Sequence, residues 1–176
     1  MRMHSKTVAI VAALVIATAA TAGCRPVSGG SDADKRRQIE ERYVVLKQAF
    51  PAVRDMTVAE LIELGERQAL VIVDVRPKEE RDVSMIPNAV SEDWFEEHRD
   101  QYRDKLVVTY CTIGARSGKY AEALQQEGFD VLNLSGSILA WAHEGRPLIA
   151  KGGPTNRVHV YSADWNLLPA GYEAVW

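Results

Sequence analysis

Cysteine is nearly absent from this chain: 176 residues carry two, Cys24 and Cys111. The four histidines do not group with them at metal-ligand spacing, so no metal site is predicted. An excess of base is also missing. Lys and Arg number 21 against 24 Asp and Glu, net charge -3, and no basic patch argues for nucleic acid as a partner. There is no dinucleotide fingerprint and no phosphate-binding P-loop, so no cofactor is predicted. No internal repeat is visible. What is present is an ordinary 47% hydrophobic content, enough for one core.

The longest charge-free run is "TVAIVAALVIATAATAG", which follows Arg2 and Lys6. A basic start, an apolar stretch and small residues before a cut make a signal peptide over residues 1–23. A retained anchor is the weaker reading, because a spanning helix needs about 20 strongly apolar residues. The run ends in "TAGC", which resembles the lipobox of bacterial lipoproteins, with Thr21 in place of the usual Leu. That resemblance implies lipidation of Cys24, export, and attachment to a membrane of the bacterial cell envelope through the lipid. Ordinary cleavage, leaving Cys24 a free thiol, is the alternative. Loss of residues 1–23 takes the net charge to about -5, since Arg2 and Lys6 go with them.

Residues 24–37 are polar and rich in Gly, Ser and Asp, and are expected to form a lipidated N-terminus and flexible tether. The domain itself is expected over 38–152. "RQIEERYVVLKQAF" places Ile39, Tyr43, Val44 and Leu46 on one helical face, and Pro51 ends it. Thr57 and Glu60 form a capping box for "TVAELIELG". "ALVIVDV", "KLVVTY" and "DVLNL" read as buried strands. Between and after them "SEDWFEEHRDQY", with Trp94, Phe95 and Tyr102 inward, "SGKYAEALQQEG" and "ILAWAHEG" read as helices. Trp141, in the last of them, is expected in the core. Strands alternating with helices predict an α/β fold of three layers with a central parallel sheet. Residues 153–176 hold Tyr161, Trp165, Tyr172 and Trp176, too apolar for disorder, and are expected to pack on the domain.

The segment "VVTYCTIGARSGKY" concentrates the chemistry. Cys111 follows a buried strand, where open α/β sheets place their ligands. Thr112 to Arg116 make a tight loop feeding a helix that begins near Ser117, and Gly114 supplies the conformational freedom such a loop needs. Successive N–H groups there form an anion nest at a helix N-terminus. A sulfur in that nest is a stabilised thiolate, the reactive form. Arg116 adds charge and a forked donor. A buried, inert structural cysteine is the competing reading for Cys111 alone; Cys, Gly and Arg within six residues of one strand–loop–helix turn favour the reactive one.

"CTIGARS" resembles the active-site loop of rhodanese domains, the sulfurtransferase fold. "LVIVDVRPKEE" is similar to that family's Asp-x-Arg stretch, through Asp74 and Arg76. "SMIPNAV" stands where the family has Gly-His-Ile-Pro-Gly-Ala, with Ser84, Met85 and Asn88 as departures. "GFDVLNLSGSILAWAHEGRPL" resembles the closing Gly-Gly-x-x-Ala-Trp segment, with Ser137 for a Gly. The resemblance covers roughly 56–150 and implies a three-layer rhodanese-like fold. It also implies a thiosulfate-type sulfurtransferase in which Cys111 is catalytic. Thr112, Ile113, Gly114, Ala115, Arg116 and Ser117 bind the substrate, and Asp74 and Arg76 brace the loop, although from the residues alone Arg76 reads equally as a surface arginine. The substrates so implied are a small sulfur-containing anion as donor and cyanide or a thiol as acceptor. The six-residue span from Cys111 to Arg116 and Tyr110 before the cysteine set it apart from the related phosphatases and arsenate reductases. A non-catalytic module that carries persulfide or docks a partner is the alternative from another class. His98 and His143 are expected to be solvated.

Overall fold

The computed structural model of the chain describes residues 30–67 and 69–176. The segment bearing Cys24 and the signal-peptide pattern lies outside the described residues.

Ser31 opens helix α1 (Asp32–Lys47) with a capping box completed by Asp34. The helix starts inside the stretch expected to be a tether, which therefore does not extend to residue 37. The reason is tertiary: Lys35 donates to the Leu168 carbonyl (2.7 Å), and Asp32 accepts from the Ala170 N–H (3.0 Å). Arg36 reaches Glu144 and the His143 carbonyl, both at 2.6 Å. Ile39 and Tyr43 of α1 are buried, whereas Val44, expected on the same face, is exposed.

The strands are β1 (Arg54–Met56), β2 (Leu70–Asp74), β3 (Val90–Ser91), β4 (Leu106–Tyr110) and β5 (Val131–Leu134). They form one parallel sheet in the order β1-β5-β4-β2-β3. β4 is central and buried at every position, as its apolar run in the sequence requires. The short edge strands β1 and β3 carry little apolar pattern and were not legible. Helices α2 (Val58–Gly65), α3 (Lys78–Val83), α4 (Glu92–His98), α5 (Ala115–Gln126) and α6 (Ser137–His143) connect and cover the sheet. The Thr57–Glu60 capping box is present at the start of α2. In α4 Phe95 is buried, but Trp94 lies outward and stacks on His98, centroids 4.1 Å apart. Apolar side chains form a core on each face of the sheet, one built around Ile138, Leu139 and Trp141, the other around Phe50, Val73, Phe95 and Val107.

Residues 148–176 add two small sheets. β6 (Leu148–Ala150) and β7 (Gly153–Thr155) pair antiparallel, and β8 (Arg157–His159) and β9 (Glu173–Val175) pair parallel. Val158, Val160, Leu167 and Leu168 are buried in the first core. His143 is not a solvated side chain: its Nε2 lies 2.8 Å from the Leu167 carbonyl, at this junction. Among the described residues no helix is long and apolar enough to cross a membrane.

Candidate active site

Five parallel strands aim their C-terminal ends at one edge, and Cys111 stands at the end of the central one. Its backbone is held on both sides. The Cys111 N–H donates to Ser137 Oγ (3.1 Å), and its carbonyl accepts from the Ile138 N–H (3.3 Å). Ser137 occupies a left-handed conformation, φ 49°, at a position where the rhodanese pattern has Gly. Its hydroxyl bonds give a non-glycine residue a reason to be there, since it also donates to the Leu134 carbonyl at 3.0 Å.

The loop is shorter than expected. Gly114 is the N-cap of α5, at φ 112°, and the helix begins at Ala115, two residues before the predicted start. Ala115, Arg116 and Ser117 therefore lie in the first helical turn, where N–H groups have no partner within the helix. The turn comes early because Gly114 reverses the chain at once, and a Cβ there would stand 2.5 Å from the Tyr43 ring. The Gly114 N–H points back to the Cys111 sulfur at 3.2 Å.

Cys111 is 1% exposed. Burial alone pushes its thiol up; the Ser117 N–H, the Arg116 charge and the Gly114 N–H act the other way and prevail, so its pKa lies below the ordinary thiol value. The Ser117 hydroxyl sends its single proton to Asn133 Oδ1 (2.6 Å), so its help to the sulfur comes through the backbone. Asn133 is a hub: its Nδ2 donates to the Gly114 carbonyl (3.0 Å) and to the Tyr43 hydroxyl (2.9 Å). It thus joins loop, α5 and α1. Asn133 was missed, although an Asn inside the apolar run "DVLNL" is a legible signal, because a polar side chain buried in a strand needs partners.

Arg116, expected to bind the substrate anion, is engaged internally. Its two terminal nitrogens lie 2.7 and 2.8 Å from the Glu80 carboxylate oxygens, and one also donates to Thr112 Oγ1 (2.9 Å). Glu80 comes from α3 and is buried; no sequence signal marked it. The Arg116 side chain stays 37% exposed, with its guanidinium carbon 5.9 Å from the centre of the Tyr161 ring.

Asp74 and Arg76 lie at the end of the neighbouring strand and are fully buried, which rules out the reading of Arg76 as a surface arginine. Arg76 Nε and one terminal nitrogen fork onto Asp74 at 2.9 and 2.7 Å, and that nitrogen also reaches the Ser84 carbonyl at 2.6 Å. Tyr110, adjacent to Cys111, donates its hydroxyl to Asp74 and accepts from the Ile86 N–H. This knot ties β2, β4 and the Ser84–Ile86 turn together beside the loop. Asn88, at φ 64°, takes a left-handed conformation that Asn tolerates in place of the family's Gly. Among the described residues no group of three His, Cys, Asp or Glu could hold a metal.

A buried cysteine with a lowered pKa thus stands at the end of a central parallel strand, wrapped by a loop-to-helix turn on an α/β sheet. A family model for the rhodanese-like domain matches residues 57–144, and the chain belongs to that family. It is 37% identical over 97 residues to a sulfurtransferase of Allochromatium vinosum, covering 51% of this chain and 88% of that protein. It is 41% identical over 81 residues to a tRNA uridine(34) hydroxylase of Listeria welshimeri, covering 40% of this chain but 25% of that protein. The chain thus spans about a quarter of that hydroxylase's length. The crystal structure of a thiosulfate sulfurtransferase from Pseudomonas aeruginosa is similar in fold, with a TM-score of 0.51 at 22% identity over 77% of this chain and 26% of that one.

Proposed function

We propose that the protein is a sulfurtransferase that moves a sulfane sulfur, from a donor such as thiosulfate, to a thiophilic acceptor through a persulfide on Cys111. The observation that carries this reading is the sulfur's setting: buried, yet with its pKa lowered by N–H donors and the Arg116 charge. The Cys111 thiolate attacks the outer sulfur of thiosulfate; that S–S bond breaks and sulfite leaves with the electron pair. The same N–H groups then hold the terminal sulfur of Cys111–S–S⁻. Cyanide or a thiolate attacks that sulfur, and the Cys111 thiolate is the leaving group. No general base is assigned, because the N–H donors and the Arg116 charge themselves favour the thiolate over the thiol. In this reading Thr112 to Ser117 form the cradle, Arg116 and Glu80 fix its shape, and Asp74 and Arg76 position it from beneath. The sulfurtransferase relative of A. vinosum supports the reaction class. Lipid anchoring through Cys24 in the bacterial cell envelope, suggested by the N-terminal pattern, belongs to the same proposal.

The test is Cys111→Ser. Thiosulfate:cyanide transfer is expected to vanish with the fold intact, and mass spectrometry after thiosulfate treatment is expected to find one added sulfur on wild-type Cys111 and none on the variant. A Ser variant with wild-type turnover would overturn the assignment.

A further inference from the structure

Segments outside the family match reach the catalytic loop. A hollow of about 210 Å³ lies against it. The loop contributes Thr112, Ile113, Ala115 and Arg116; Leu46 comes from α1, and Tyr161 and Trp165 from the C-terminal extension. Arg116, the one charged residue among the described residues of this lining, is already paired through two nitrogens with buried Glu80. Its guanidinium also faces the Tyr161 ring. Arg42 lies behind Trp165, its guanidinium carbon 4.9 Å from the ring centre, and donates to the Asp164 carbonyl (2.9 Å). The mouth therefore presents an aliphatic side chain and two aromatic rings, with no uncommitted cation among the described residues of its lining. A dianion such as thiosulfate sheds water on entry and gains no unpaired positive partner in return, a poor exchange in an apolar site. Tyr161 is held here at φ 74°, a conformation that a bulky residue rarely adopts, while its side chain stays 65% exposed. Burial does not account for that placement; the Tyr161 N–H donates to His159 Nδ1 (3.2 Å), and the turn sets the ring over Arg116.

We propose that this hollow selects substrates whose sulfane sulfur is carried on an apolar, uncharged arm about the size of one aromatic ring, with Leu46, Tyr161 and Trp165 setting the preference. The inference rests on sulfur transfer through Cys111. The chemistry balances without a further reactant. The Cys111 thiolate takes the outer sulfur of R–SO2–S⁻, the sulfinate R–SO2⁻ leaves with the bonding pair, and cyanide then removes the sulfur as thiocyanate.

The experiment compares three donors with cyanide as acceptor: benzenethiosulfonate, methanethiosulfonate and thiosulfate. The first two share a head group and differ in the arm. The expected result is a kcat/KM for benzenethiosulfonate at least about tenfold above that for methanethiosulfonate, the discrimination a small apolar pocket provides, with thiosulfate the poorest. In Tyr161→Ala and in Trp165→Ala that ratio is expected to fall towards one, and in Tyr161→Phe to persist. Turnover that depends on Cys111 but shows equal kcat/KM for the two arms, or a ratio unmoved in both Ala variants, overturns the inference and leaves the sulfur-transfer reading standing. No Cys111-dependent turnover with any donor overturns both.

Discussion

Two arginine–carboxylate forks flank the end of β4, and they do different work. Arg76 and Asp74 are sealed from water, share their network with Tyr110 and the Ser84 carbonyl, and sit beneath the loop. Arg116 and Glu80 have similar forked geometry, but one member opens to the mouth. The first pair is structural because a buried charge without its partner is costly. In the second, Glu80 is buried but solvent reaches Arg116, whose charge is felt by the sulfur. Similar chemistry, sealed in one pair and partly open to solvent in the other, yields a brace in one case and an electrostatic setting in the other.

The sharpest break in this contrast is Asp74→Ala. It leaves the Arg76 guanidinium buried without its counter-ion and is expected to cost about 3–5 kcal/mol of stability, read by urea denaturation. A loss below about 1 kcal/mol would place the pair in the class of surface ion pairs and erase the difference. Next in size is Arg116→Ala: it strands the buried Glu80 carboxylate, but the vacated space opens to solvent and Thr112 still donates to Glu80, so a cost of about 2–3 kcal/mol is expected. Its larger signature is in pH. A positive charge beside a thiolate lowers the thiol pKa, so removing it raises that pKa. The acid limb of kcat/KM, which reports the free enzyme, lies below the ordinary thiol range in the native protein and is expected to move to higher pH in the variant. An unmoved limb would show that Arg116 does not act on the sulfur. The smallest effect is expected for Glu80→Gln, which keeps the shape of the pair and frees the Arg116 charge. The acid limb then moves to lower pH, and KM for thiosulfate falls because an unpaired cation now faces the mouth. A KM that stays or rises would argue that Glu80 does not screen Arg116 from substrate.

Where sequence and structure part, the reason is local to each residue. Cys111 and Gly114 were legible because strand end, loop and glycine are close in sequence. Arg116 was legible as a charge near the sulfur, but its partner Glu80 lies on another helix, and nothing in "RPKEER" separates a carboxylate that turns inward from its exposed neighbours. Arg76 has the composition of a surface residue; only the packing of β2 against β4 and the Ser84–Ile86 turn buries it. Helix α1 shows the same limit. Its start reads as a tether because Asp, Lys and Arg are as common in linkers as at helix starts, and its first turns are secured by residues 143, 144, 168 and 170.

The amino-acid sequence by itself determined the alternation of strands and helices, the buried centre of the sheet, the position of Cys111 at a strand end and the kind of loop that follows it. Each of these rests on periodicity, on a cap or on a glycine, which act over a few residues. The tertiary structure alone decided which carboxylate each arginine meets, that Asn133 gathers the loop to α1, and that Leu46, Tyr161 and Trp165 stand at one mouth. Those depend on contacts between residues tens of positions apart, where the free energy of burial and pairing is set by the neighbours the fold supplies rather than by the neighbours in the chain.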